Sequence, residues 1–336
     1  MKEILQIELS RYNTFALPCR AAKMILLEEE QDVVLCAKEG LFQEPYFILS
    51  GGSNIILGSS YNGIVFHPVF GGVEVLEKND RHVIVKVKAG VIWDDFVAWS
   101  VVNGFGGLEN LSLIPGYCGT APVQNIGAFG TEISSLLVAA DGYTLPEGKK
   151  ISLKAEECRF GYRESIFKHE LKNRFIITST TYKLTTGTHC FRLDYGNLSD
   201  TIKGKEPGLS EIRQAVIDIR RAKLPDPQVK GNAGSFFKNP AVTLEKAGEL
   251  KTRYPGIPLY DFDDERKKVA AGWMIEQCGW KGKIHRGAGV HEKQALVLVN
   301  HGNASAGDIL ELSEMIEESV QKEFGIGLEK EVNFIA

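Results

Sequence analysis

Residues 103–130 constrain this chain more than any other stretch. They carry seven glycines, two prolines and a single charged residue, Glu109. That is too long for an ordinary connection between elements. A disordered linker would be more polar and poorer in bulky apolar side chains. Here the centre reads Ile114-Pro115-Gly116-Tyr117-Cys118-Gly119-Thr120-Ala121-Pro122-Val123-Gln124-Asn125-Ile126-Gly127-Ala128-Phe129-Gly130. Such a segment is expected to be ordered by something it wraps. Its glycines let main-chain groups approach closely, and Gln124 and Asn125 offer donors and acceptors, so a flat, amide-rich ligand suits it.

Two further glycine clusters keep it company. Ser50-Gly51-Gly52-Ser53-Asn54 lies between two apolar runs that read as strands, 46–49 and 55–57. Backbone N–H groups turned by a glycine pair can cradle phosphate, although a tight hairpin would have the same composition. Residues 231–240 read Gly-Asn-Ala-Gly-Ser-Phe-Phe-Lys-Asn-Pro, which places a hydroxyl, Ser235, in a flexible setting. The dinucleotide fingerprint, the P-loop and the G-x-S-x-G elbow do not occur, so a Rossmann site, a nucleoside-triphosphatase and a hydrolase of that type are not supported. His291 and His285 lack the spacing of a metal pair, and the six cysteines form no C-x-x-C; no metal site is expected, and the thiols read as reduced.

The chain is long enough for two or three domains, with 336 residues, 43% hydrophobic and 24% charged. A formal charge of -4 leaves no basic field for nucleic acid. The N-terminus is interrupted by Lys2, Glu3, Glu8 and Arg11, and no run reaches membrane-spanning length, so the expected location is the cytoplasm, with no membrane partner. Periodicity predicts helices over 93–102, 210–222, 243–254, 266–278 and 308–324, and strands over 82–88, 174–184, 295–300 and 331–336. A breaker-rich stretch at 203–208 marks the expected boundary between parts. Arg and Tyr clustered at Phe160-Gly161-Tyr162-Arg163 suit recognition of a carboxylate or phosphate, or simply a solvated surface.

Taken in order, Asn13-Thr14-Phe15, the loop at 52–54, Ile114-Pro115-Gly116, residues 122–130, Phe160 to Arg163, residues 231–240, His291 to Gln294 and Glu331-Val332 resemble the UDP-N-acetylenolpyruvoylglucosamine reductase family over nearly the whole chain. Within it the context of Tyr195 resembles the class that closes a tyrosine-bearing loop over its substrate. The resemblance implies an α+β fold: a vanillyl-alcohol-oxidase-type (PCMH-type) FAD-binding region at 1–205, in two subdomains of about 1–70 and 71–205. A substrate-binding domain follows at 209–328, and 329–336 returns as a strand to the FAD region.

The resemblance further implies a monomeric cytoplasmic enzyme with FAD as cofactor, NADPH as co-substrate and UDP-N-acetylglucosamine enolpyruvate as substrate. FAD would be held by Gly51, Gly52, Ser53, Asn54, Ile55, Ile114, Pro115, Gly116, Thr120, Gln124, Asn125, Ile126 and Gly127. The substrate would meet Tyr162, Tyr195, Lys223, Asn239, Lys281 and Gln294. Catalysis would fall to Ser235 as proton donor, with Arg163 and Glu331 at the substrate carboxylate; Glu331 helps there only if protonated, so a raised pKa is expected. Four positions depart from the family's usual pattern: Ser50 for glycine, Phe129 for tyrosine, Lys330 for proline and Arg286 for a small residue. A flavin oxidase of the same fold and a noncatalytic nucleotide-sugar sensor remain the alternative readings.

Overall fold

In the computed structural model, which describes residues 1–194, 198–202 and 207–336, contacts divide the chain into two units. One consists of Met1–Ile7, Ala21–Gly52 and Tyr61–Ala222, the other of Glu8–Arg20, Ser53–Ser60 and Lys223–Ala336. Tyr195 lies outside the described residues.

The first unit is built on two sheets. Strands Lys2–Glu8, Arg20–Leu27, Ser60–Pro68 and Tyr46–Ile48 form one sheet in that order. Tyr46–Ile48 runs parallel to Ser60–Pro68, and that pairing carries the chain into the loop at 50–54. The other sheet is antiparallel, in the order Lys149–Lys154, Leu137–Thr144, Phe175–Thr185, His82–Lys88, Val73–Lys78. His82–Lys88 alternates as its sequence predicts: Val83, Val85 and Val87 are buried, and the residues between them half-exposed. On that apolar face pack Trp93 and Phe96 of helix Trp93–Val102, with Tyr182 between the two rings.

Helix Leu209–Lys223 belongs to this unit up to Ala222, although the breaker-rich stretch precedes it. Its Ile212, Ala215 and Val216 bury against Leu198, with Phe129 packed alongside. The apolar stripe therefore seats the helix on residues that come earlier in the chain.

The second unit contains a sheet in the order Asn232–Ser235, Val297–Asn300, Ala288–Val290, Ile284–His285, and a smaller one, Ala241–Thr243, Arg266–Val269, Leu259–Asp261. Arg266–Val269 corrects the helix expected over 266–278. That segment pairs with a strand on each side, and the helix begins only at Ala271–Gln277. Sheet pairing outweighs the helical propensity of Arg-Lys-Lys. Helix Ala306–Phe324 forms as its sequence indicates: the Ser305 hydroxyl accepts from Asp308 N, the Asp308 carboxylate accepts from Ser305 N, and Ile309, Leu312, Ile316 and Val320 enter the core.

The last strand, Asn333–Ile335, lies parallel to Ile55–Leu57, so the strand that follows the glycine loop is paired by the C-terminal segment.

Candidate functional site

The long glycine-rich segment is a fixed structure because the chain just before helix Trp93–Val102 zips along it. Gly119 N donates to Ala89 O, Cys118 N to Val91 O and Trp93 N to Gly116 O, at 2.9 to 3.0 Å. The Trp93 indole N–H donates to Leu111 O. Leu113, whose φ is +59°, donates its N–H to Asp94 Oδ1 at 2.5 Å.

Opposite this segment stands the loop at 50–54. A Cβ on Gly51 would lie 2.8 Å from Gly116 Cα and 3.3 Å from Gly116 C, so the two loops approach with bare backbone. A Cβ on Gly119 would lie 2.5 Å from Ala89 Cβ. Main chain brought this close at Gly51 and Gly116 suits a place where backbone meets the diphosphate of a dinucleotide. Ser50, where the family usually has glycine, is not among the residues with positive φ, so its side chain causes no strain. Thr120 sits beside this corridor, its hydroxyl donating to Tyr117 O.

Asn125 plays a different part from the ligand contact expected of its amide. Its Nδ2 donates to Glu132 Oε2 and Gly161 O, and its Oδ1 accepts from Ser134 N. With all these bonds inside the protein and the residue buried, the side chain holds the turn that bears Arg163, while the residue's own N–H donates to Pro122 O at 3.3 Å and its carbonyl accepts from Arg163 Nη1 at 3.4 Å. Ile126 is fixed through its backbone to Ala121 and Ile133. Gln124 and Ile114 are half-buried and Pro115 exposed.

The Arg163 turn is tight. Gly161 and Glu164 exchange both backbone hydrogen bonds, leaving Tyr162 and Arg163 at the tip, with Arg163 at φ +57°. The guanidinium donates to Gly127 O at 2.8 Å and lies 5.4 Å from the Tyr162 ring centroid. A Cβ on Gly127 would come within 2.7 Å of Glu132 Cγ, 3.0 Å of Thr131 O and 3.1 Å of Arg163 Nη1, which favours glycine here.

Three charged residues close by leave no mark in the sequence pattern. Arg213 grips Asp94 with both terminal nitrogens, at 2.7 and 2.9 Å. Burial opposes the charge on Asp94, yet Arg213 and the Leu113 N–H outweigh it and hold the carboxyl below its usual range. Arg220, two turns further along the same helix, has a buried Nε with no hydrogen-bond partner. Burial brings its guanidinium down to about 10; the charge of Asp94 opposes that shift and the charge of Arg163 adds to it.

In the second unit Ser235 ends strand Asn232–Ser235 in an exposed position. Gly231 is pressed against Phe15, where a Cβ would meet Phe15 O at 2.3 Å, and Asn232 N donates to Thr14 O; this is why Asn13-Thr14-Phe15 belongs to the motif set. Beyond Ser235 the chain pairs with the C-terminal segment. Glu331 N donates to Phe236 O at 2.8 Å, Lys238 N to Glu329 O at 2.9 Å, and Phe237 bridges Lys330. Asn54 Nδ2 donates to Glu331 O at 3.0 Å, so the glycine loop's last residue is hooked to the same strand. The departure Lys330 finds Glu317 at 2.9 Å on the long helix.

The expected substrate contacts are placed unevenly. Asn239 accepts from Ala271 N at 3.0 Å, which supports the start of helix Ala271–Gln277. Gln294 Oε1 accepts from Leu296 N at 3.3 Å. Lys281 pairs with Glu276 at 2.8 Å on the surface. Lys223 is exposed at its helix end. His291 is buried, and its Nδ1 has no hydrogen-bond partner. The six cysteines are free thiols, and no group of metal-ligating side chains occurs among the described residues.

Residues 22–153 match the family model of an FAD binding domain. With the bare-backbone corridor at Gly51 and Gly116, that match makes the chain an FAD-dependent oxidoreductase. Residues 226–335 match the C-terminal domain of UDP-N-acetylenolpyruvoylglucosamine reductase. Reductases of that name from Flavobacterium johnsoniae and Bacteroides fragilis are 44% and 43% identical to it, over 97% and 96% of this chain and 98% and 97% of theirs. The crystal structure of the Thermus caldophilus reductase superposes with a TM-score of 0.67 at 24% identity, covering 100% of this chain and 98% of that one, which shows a shared fold. The chain belongs to the UDP-N-acetylenolpyruvoylglucosamine reductase family.

Proposed function

We infer that the chain reduces UDP-N-acetylglucosamine enolpyruvate to UDP-N-acetylmuramate, a step of peptidoglycan precursor synthesis, with Ser235, Glu331 and Arg163 as the residues that meet the reacting group. The observation that carries this reading is the pairing of residues 236–238 with 329–331, which sets Ser235 and Glu331 on two paired segments within one unit. Relatives more than 40% identical over nearly their full length bear the reductase name, in support.

The chemistry that FAD supplies when bound is hydride transfer, taken from NADPH and given to C3 of the enolpyruvyl ether. The new C–H bond at C3 breaks the C2–C3 π bond and moves its electron pair onto C2 and the adjacent carboxylate. Stabilising that charge is the task left to the protein. Arg163, fixed to Gly127 O, keeps its cationic head in a set direction for the carboxylate. Glu331 assists as a protonated donor, because an ionised carboxylate would repel the developing charge. The Ser235 hydroxyl gives C2 its proton, and solvent restores that proton to the serine.

The diphosphate loop is assigned to Gly51 through Ile55, with the main chain of Ile114 to Gly127 along the rest of FAD. Tyr162, Lys223, Asn239, Lys281 and Gln294 are assigned to the nucleotide sugar; for Lys281 this requires the Glu276 pair to open. The FAD part is taken as 1–205 and the substrate part as 209–328, with the leading helix Leu209–Lys223 packed within the first unit up to Ala222. Stopped-flow absorbance of Ser235→Ala tests the proton assignment. Flavin reduction by NADPH is expected to proceed at the native rate while reoxidation by substrate falls by ~10²- to 10⁴-fold, the usual worth of a general acid. Native rates in both half-reactions would remove Ser235 from the mechanism.

A further inference from the structure

Among the half-buried charges outside the assigned machinery, one carboxylate holds together three parts of the first unit. Asp94 stands in the first turn of helix Trp93–Val102. One of its oxygens accepts from Leu113 N at 2.5 Å, immediately before Ile114-Pro115-Gly116. Both oxygens receive Arg213 from helix Leu209–Lys223, at 2.7 and 2.9 Å. The partners are far apart in sequence, 119 residues for Asp94 and Arg213, so the contact serves tertiary structure rather than local turn formation. A bidentate guanidinium–carboxylate pair fixes angle as well as distance.

Two features give the pair a purpose. Leu113 has φ +59°, a conformation that is strained for a non-glycine residue and persists only where its surroundings enforce it. The residue so enforced leads directly to Gly116, whose Cα must lie against Gly51 for the bare-backbone corridor to exist. In addition, Arg213 and Arg220 lie seven residues apart and so on one helix face, and Asp94 is the counter-charge acting on both. Arg220 in turn feels Arg163.

We propose that Asp94, clamped by Arg213, is a positioning residue for FAD: it locks the Leu113–Gly116 turn and the arginine-bearing face of helix Leu209–Lys223 into one register and thereby sets cofactor affinity. It touches neither flavin nor substrate. The proposal rests on the reading that FAD lies along residues 114–116, and it adds which side chain holds that loop in shape.

The test uses flavin-stripped full-length protein titrated with FAD, followed by flavin fluorescence, for the native chain, Asp94→Asn, Arg213→Gln and the double variant. Each titration is done well below that protein's own melting temperature. Asp94→Asn keeps an acceptor for Leu113 N but loses the ionic clamp; Arg213→Gln removes the clamp from the other side and leaves the Leu113 bond in place. Each single variant is expected to weaken FAD binding at least tenfold and to alter the visible absorption envelope of the bound flavin. The double variant is expected to be no worse than the weaker single, because the pair acts as one unit. Unchanged affinity in Arg213→Gln, or losses that simply add in the double variant, would overturn the proposal, and Arg213→Gln carries the test alone if Asp94→Asn does not fold. Failure of the native apoprotein to bind FAD would instead overturn the cofactor reading itself.

Discussion

Replacing Gly51 with alanine adds one methyl group where the structure leaves no room for it. The new Cβ would stand 2.8 Å from Gly116 Cα, 3.3 Å from Gly116 C and 3.4 Å from Tyr117 Cδ1. Carbon atoms settle at about 3.5–4.0 Å, so the two loops must part by roughly 0.7 Å or more. Two of the three obstacles are backbone, and the Gly116 carbonyl is tied to Trp93 N at 3.0 Å, so the shift cannot be taken up by a rotamer. Gly51 itself has no positive φ, which confines the cost to crowding. Overpacking of this kind costs about 1–3 kcal/mol. If the corridor is where the diphosphate binds, that cost appears as FAD affinity lowered by about 5- to 150-fold, at 1.4 kcal/mol per factor of ten.

The assay is FAD titration of the apoprotein, with Gly248→Ala as the internal control. Gly248 lies inside helix Leu244–Arg253 with open space around its Cβ position, so alanine there should leave FAD affinity alone and raise stability by roughly 0.5–1 kcal/mol. Native FAD affinity in Gly51→Ala, with Gly248→Ala behaving as stated, would show that the close approach of the two loops is not part of the cofactor site.

Two further outcomes are expected. Burial opposes the charge on Glu30, but hydrogen bonds from Lys150 at 2.6 Å and Lys88 at 2.5 Å outweigh it and bring the carboxyl to about 2. A folded-state pKa below the unfolded one gives stability that is present above about 4.5 and is lost as pH falls toward 2. Because Lys150 is exposed, Glu30→Gln should lower the urea midpoint by an amount equivalent to roughly 1 kcal/mol at pH 7, and the gap to the native protein should narrow as pH falls from about 4.5 toward 2; a gap independent of pH refutes the ion-pair account. For Glu331→Gln, which keeps a donor but cannot titrate, the alkaline fall in the rate of reoxidation by substrate should disappear. A pH profile superimposable on the native one would exclude a protonated Glu331.

What the sequence disclosed and what it concealed divide along a physical line. Helix Ala306–Phe324 was legible because its start signal and its apolar stripe are both local. So was strand His82–Lys88, whose alternation is its burial pattern. Arg266–Val269 was misread because three basic residues in a row carry no alternation, and only partners on both sides make them a strand. Within the candidate site the glycine loops were readable as places of close approach, but not what each approached: Gly51 has Gly116, and Gly231 has Phe15. Asn125 was equally hard to read. A buried amide in a glycine-rich loop looks available to a ligand until its partners Glu132, Gly161 and Ser134 are seen. Asp94, Arg213 and Arg220 left no signal at all, since helical periodicity marks the apolar face, and these residues serve one another on another.

The hook between Asn54 and Glu331 joins residues 277 positions apart. During synthesis the glycine loop therefore emerges well ahead of its neighbouring strand and of Glu331. A chain interrupted shortly before residue 331 would contain both loops of the corridor and Ser235, yet lack Glu331 and the strand that covers Ile55–Leu57. The glycine loop thus stays without its neighbouring strand until residues 331–335 have been made.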